Sequence, residues 1–221
     1  MKKVLVVVLG LLVVAPLGGL EAWAEPERYA SKGYNAFWHR RHRVDSDTYV
    51  RTTWYAGVYV SEEGGSDELD FWSDLYKSSA RCERREGRDR CRNTRNSLYG
   101  VINDLGDGQF TLEPDLSSGF FEATYPMERR EGRTSESIGK IRIEVRLAAI
   151  GEVTESRDSY SYSTDCYRVR YSGRSEYVQA RARGILTFLR EDSVMRLGAT
   201  ESAGMSQGES MSIEHICDEA E

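Results

Sequence analysis

Between Ile138 and Ile150 the side chains alternate with a period of two, Ile141, Ile143, Val145, Leu147 and Ala149 on one side and Arg142, Glu144 and Arg146 on the other. Successive residues of an extended chain point to opposite faces, so this run is a strand with one dry face and one wet face. The pattern recurs from Thr48 to Val60, where Val50, Thr52, Trp54, Ala56, Val58 and Val60 alternate with Tyr49, Arg51, Thr53, Tyr55, Gly57 and Tyr59. Weaker strand-like runs follow at Leu69–Tyr76, Phe110–Leu112, Phe120–Met127, Tyr160–Arg170 and Tyr177–Phe188, and the chain closes with Ser193–Leu197 and Met211–Cys217. Turn-forming clusters separate them, at Glu62–Asp67, at Asn103–Gly108 and around Pro114 and Ser117–Gly119. No sustained helical period accompanies them. The spacing predicts an all-β protein, an antiparallel β-sandwich with a closed β-barrel as the alternative.

The first two dozen residues are read separately. Lys2 and Lys3 precede an unbroken Val/Leu run from Val4 to Val14, relieved only by Gly10, and Ala22 and Ala24, either side of Trp23, supply small residues at the two positions a signal peptidase reads. Residues 1–24 are therefore expected to be a signal peptide cleaved after Ala24, giving a secreted or extracytoplasmic product with no transmembrane segment. The remaining 197 residues carry a net charge of −7, obtained from −6 by removing Lys2, Lys3 and Glu21. That balance argues against nucleic acid as a partner. Residues 25–47 mix polar and aromatic side chains and end in the basic run Arg40, Arg41, His42, Arg43; they are expected to form an arm or short helix ahead of one domain over 48–221.

All four cysteines lie in the exported part, where disulfides are the default. Glu86 and Gly87 sit midway between Cys82 and Cys91. A two-residue loop there makes Arg85 and Arg88 the closing pair and brings Cys82 opposite Cys91 in a narrow pair, with Cα atoms about 4.5 Å apart. A three-residue loop with Gly87 as a bulge is the competing geometry. Cys166 with Cys217 follows by elimination. Glu83–Arg88 recurs as Glu128–Arg133, and Arg170–Arg174 resembles both at its Gly-Arg end, which suggests three hairpin tips using one turn solution.

The string Gly204–Gly208 fits the nucleophile-elbow pattern, with Ser206 as nucleophile and His215 as the only histidine downstream. It lacks the flanking strand and helix that pattern requires, so Ser206 and His215 stand as candidates for a secreted serine hydrolase without being its expected machinery. His39 and His42 would share a helical face near Asp45 and Asp47, but neighbouring arginines oppose a cation. Glu62, Glu63, Asp67 and Asp70 match no defined calcium loop. No metal and no cofactor is expected. Tyr49, Tyr55 and Tyr59 alternate along one strand, as Tyr160 and Tyr162 do along another, and aromatics on an exposed sheet face are a platform for a glycan or an extracellular protein. The leading expectation is a non-enzymatic binding or interaction module; the alternatives are the hydrolase and a structural, envelope-associated protein.

Overall fold

A computed structural model describes residues 26–64, 69–94, 96–131, 133–164 and 167–216. The chain forms β1 (Glu27–Arg43), β2 (Thr48–Glu63), β3 (Leu69–Arg85), β4 (Arg88–Asn93), β5 (Asn96–Ile102), β6 (Gln109–Leu112), β7 (Ser118–Glu131), β8 (Thr134–Ala149), β9 (Thr154–Ser163), β10 (Tyr167–Phe188) and β11 (Ser193–Ile216). There is no helix among the described residues.

Every pairing is antiparallel. The order runs β11-β1-β2-β3-β5-β7-β8-β10, and β10 pairs back onto β11, so eight strands form a ring. A ring of this kind is common to a barrel and to a sandwich whose two sheets share their outer strands. β4, β6 and β9 lie outside it, each beside one ring strand. All ten residues of β9 are exposed, and its alternating Glu155, Arg157 and Asp158 protect an edge that would otherwise invite another strand.

Alternation dictates which residues fill the ring. Ala36 and Trp38, Trp54, Ala56 and Val58, Phe121, Ala123 and Tyr125, Ile141, Ile143 and Val145, Ala180 and Ala182, and Ala203 and Met205 all point inward and are buried. Trp38 lies opposite Trp54 in the β1–β2 ladder, and Phe188 meets Trp54 edge-on. The exterior is the reverse: Arg142, Arg146, Arg181 and Arg183 point to water. An apolar interior with a charged exterior is opposite to the pattern of a lipid-facing barrel. No helix among the described residues is long and apolar enough to cross a membrane.

One end of the ring is plugged by the connection between β6 and β7. Leu116 adopts a φ of 56° to turn its side chain into the core, where it is fully buried, and Gln207 Nε2 donates to the Pro114 carbonyl at 2.7 Å. Ser73, the buried polar side chain, donates from Oγ to the Gly57 carbonyl at 2.6 Å and meets the Tyr125 hydroxyl, so it carries no unmet bonding cost.

Three expectations need correction. Residues 27–43 are neither arm nor helix: β1 pairs with β2 on one side and β11 on the other, because Tyr34, Ala36 and Trp38 alternate inward as strictly as the neighbouring strand does. Ser172 and Gly173 do not turn the chain but lie within β10, paired with β9 and β11. The two Glu-Arg-Arg-Glu-Gly-Arg segments do not share one register. Arg85 closes against Arg88 around Glu86 and Gly87, whereas Glu131 closes against Thr134, one residue later. In the first tip, φ values of 52° at Glu86 and 76° at Gly87 give the two positive positions of a type I′ turn.

The cysteine hairpin has the in-register form. Cys82 lies opposite Cys91, and the two are bonded, with a Cα separation of 4.0 Å. The Cys166–Cys217 expectation and the signal peptide fall outside the described residues.

Candidate functional site

The aromatic side chains with the largest exposure are Phe37, Tyr59, Trp72, Tyr160, Tyr162 and Tyr177. The ladders put all six on the outer face of the contiguous strands β9, β10, β11, β1, β2 and β3. Cross-strand partners share a face, so one transverse row reads Tyr177, Ser206, Gly33, Tyr59, Trp72. The next reads Ser156, Ser175, Gly208, Ser31, Ser61, Asp70 and has no aromatic at all. Beyond it come Asp158, Gly173, Ser210 and Tyr29, and then Tyr160 stacked on Tyr171 with centroids 4.8 Å apart.

The result is a trough with a floor of hydroxyls and bare backbone between two lines of aromatic rings. Within it opens a small concavity of about 140 Å³ whose lining includes Tyr59, Tyr171, Ser31, Ser175, Gly208 and Asp158. Tyr177 and Tyr59 are three inter-strand steps apart, about 14 Å at roughly 4.8 Å per step. Glycine sets the pose of the rings. The Tyr177 ring lies flat across Gly204, and the Tyr55 hydroxyl lies over Gly57, where in each case a Cβ would collide with it.

Tyr49, Tyr55 and Tyr59 all emerge on this outer face, but in different environments. Tyr59 is half exposed, at 50%, and stands in the trough wall. Tyr55 packs on Phe37 with centroids 4.7 Å apart, and burial together with the nearby Asp74 carboxylate pushes its hydroxyl up to about 12. Tyr49 lies over the disulfide hairpin. Its hydroxyl donates to Asp89 Oδ2 at 2.8 Å, its ring sits beneath the Arg41 guanidinium, and the bond to Asp89 raises its pKa. Asp74 is the strained member of the face: burial lifts its carboxyl to about 6, and its Oδ1 has no hydrogen-bond partner.

A second concavity opens inside the ring at the end away from the β3–β4 hairpin. Its two adjoining parts have volumes of about 460 and 640 Å³ and share Ala30, Glu62, Arg174 and Glu209. Arg174 bonds Glu155 at 3.1 Å and Glu176 at 2.8 Å, Arg157 bonds Glu155 at 2.6 Å, and Gln207 bonds Glu176 at 2.9 Å. These groups largely satisfy one another. The network tops the core with charge instead of presenting unmet donors to a guest.

The catalytic candidates do not assemble. Ser206 and His215 lie nine residues apart on the single extended strand β11. At about 3.3 Å per residue that is roughly 30 Å, too far for the two to meet. Ser206 sits in mid-strand beside Tyr177 and Gly33, without the strand-turn-helix setting of an elbow. His39 and His42, an odd number of residues apart, fall on opposite faces of β1, and His39 Nδ1 is 3.0 Å from Thr53 Oγ1. No group of three His, Cys, Asp or Glu side chains converges on a metal-sized point among the described residues.

Trp72, Asp158, Tyr171 and Tyr177 are trough residues that the sequence did not single out. Trp72 and Tyr177 stand in runs read as strand-like, whereas Asp158 and Tyr171 lie outside them, in parts of β9 and β10 that the sequence did not mark as extended. What joins them is the pairing of β11 with β1 and β10, which links residues more than 100 positions apart and leaves no local signal. By class, the chain is an antiparallel all-β protein built on a ring of strands with an aromatic trough on its outer wall. No known protein-family model matches the chain. No curated protein matches it.

Proposed function

We propose that the protein is an exported, non-enzymatic binding module that takes a saccharide in the trough of its outer face. The observation that carries this reading is the alignment of exposed rings along both sides of a hydroxyl- and glycine-lined floor. Sugar rings present an apolar C–H face to an aromatic ring and equatorial hydroxyls to neighbouring polar groups, and Tyr59, Tyr171, Ser31, Ser175 and Asp158 offer both kinds of contact. Exposed rings of this number are costly to leave in water unless something covers them. The leader expected over residues 1–24 and the Cys82–Cys91 bond both fit an extracytoplasmic location.

A glycan array probed with the mature chain tests the reading. Binding to at least one neutral oligosaccharide is expected, weakened roughly five- to tenfold by Tyr59→Ala or Tyr177→Ala, as loss of one stacked ring implies. Binding that ignores both substitutions removes the trough from consideration, and an array without a hit removes the saccharide. The competing hydrolase reading predicts covalent labelling of Ser206 by a fluorophosphonate; an unlabelled folded protein ends it.

A further inference from the structure

The chain is acidic overall, at −6, yet the hairpin ends opposite the charged basin are basic. Residues 40–51 at the β1–β2 turn and 81–92 at the β3–β4 hairpin hold ten arginines against five acids. They are neighbours, since β2 pairs with β3 along Thr48–Glu62. Only Arg84, with Asp89 at 3.3 Å, and Arg85, with Glu83 at 3.0 Å, have ion-pair partners there among the described residues. Among the described residues, no acid lies within ion-pair distance of Arg51, Arg81, Arg88, Arg90 or Arg92. All six residues of β4 are exposed.

The register adds a second, independent sign. Arg41 stands opposite Arg51, Arg81 opposite Arg92, and Arg85 opposite Arg88. Directly opposed like charges weaken an antiparallel pair. The same ladders put Arg81, Arg92, Arg90, Arg85 and Arg88 on one face of the β3–β4 hairpin and Arg41 with Arg51 on the other. Two like-charge pairs on one face oppose the folding of that hairpin, and a polyanion lying along the face would neutralise both at once.

We infer that this basic end binds a linear acidic polysaccharide. Arginine presents a planar fork that matches carboxylate and sulfate groups two bonds at a time. The β3–β4 tip, Arg84 to Asp89, carries no apolar side chain to enter a bilayer interface. Tyr49 stands on the other face of this hairpin, covered by Arg41 and tied to Asp89, so it is not free to stack on a nucleobase. This site lies on different residues from the trough and does not depend on it.

Size-defined heparin oligosaccharide serves as the probe for the mature chain, titrated from about 50 to 200 mM salt. Saturable binding that falls steeply with salt is expected, with no binding to neutral dextran. Arg88→Glu and Arg92→Glu each place an acid opposite an arginine on that face. They are expected to hold or raise the melting temperature while weakening heparin binding, and to flatten the salt dependence by roughly one unit of slope per arginine removed. Arg90→Gln, on the exposed edge strand, gives the same readout should a charge reversal fail to fold. Tyr59→Ala is expected to leave heparin binding unchanged. Absence of heparin binding at low salt overturns the inference, as does binding that survives the double reversal. So does binding of phosphatidylglycerol vesicles or single-stranded DNA without binding of heparin.

Discussion

Replacing Asp74 by Asn should stabilise the protein at neutral pH and leave it unchanged in acid. Asp74 stands on the outer face of β3 next to Tyr55 and Gly57, its Oδ1 lacks a partner, and burial lifts its carboxyl to about 6 from an ordinary 3.8. A raised acid penalises the folded state only when ionised. Below about pH 4 both folded and unfolded chains hold the proton and no cost exists; the cost grows between pH 4 and 6 and is complete above 6. Taken at face value the shift corresponds to about 3 kcal/mol. The side chain is only half buried, so water screens the charge and about 1 to 1.5 kcal/mol is the reasonable share. Urea unfolding followed by tryptophan fluorescence at pH 4, 5, 6 and 7 measures it. The stability gain of Asp74→Asn should rise from near zero to that value across the series, because the groups common to both proteins cancel. A gain that is flat with pH, or largest in acid, would refute the assignment of the strain to this carboxyl.

Removing the Cys82–Cys91 bond as the paired serine variant should cost at most about 2.6 kcal/mol, the chain-entropy value for a loop closed over a sequence separation of 9, read from denaturant midpoints. Leu116→Ala should cost about 2 to 4 kcal/mol and open the plugged end of the ring, seen as faster hydrogen exchange in β7 and β11. Gly204→Val should displace the Tyr177 ring and weaken saccharide binding while the melting temperature moves little, since valine suits an extended strand. Peptide mapping under non-reducing conditions should recover a Cys166–Cys217 bond: the last described pair of the β10–β11 ladder is Tyr167 opposite Ile216, and each is adjacent in sequence to one of these cysteines.

What the sequence made legible followed local rules. Alternation at Ile141–Leu147 and Val50–Val60 identified β8 and β2 with the correct inward faces, and turn chemistry at Glu86 and Gly87 fixed the register that joins Cys82 to Cys91. The failures came where two rules competed. In β1 the basic run Arg40–Arg43 and the scattered aromatics masked the alternation of Tyr34, Ala36 and Trp38, and only pairing on both flanks makes that segment extended. Ser172 and Gly173 are turn-forming residues, yet they lie between β9 and β11, and the hydrogen bonds of two ladders outweigh a local preference. For the site, Tyr59 was visible as an outward residue of β2. Its opposite wall at Tyr171 was not, because the two belong to strands separated by β11 and β1 in space and by about half of the chain in sequence.

A ring of long strands needs apolar side chains only across its middle, and this one stops burying them well short of both ends. In β1 the inward positions are Trp38, Ala36 and Tyr34 at the core but Lys32 and Arg28 beyond it, and in β10 they run from Leu186 and Ala182 to Glu176 and Arg174. The strand ends are thereby released from the hydrophobic constraint, and their charges can be set without touching the core. An arginine-rich end, an ion-paired basin at the other and an aromatic trough on the wall can then vary separately. Substitutions at Arg51 and at Tyr59 lie eight residues apart on the same strand, about 26 Å, and share no partner. Their effects on stability should therefore add within about 0.5 kcal/mol. A larger coupling would mean that the two surfaces communicate through β2 and that the ring is one cooperative binding device instead of a rigid frame for two.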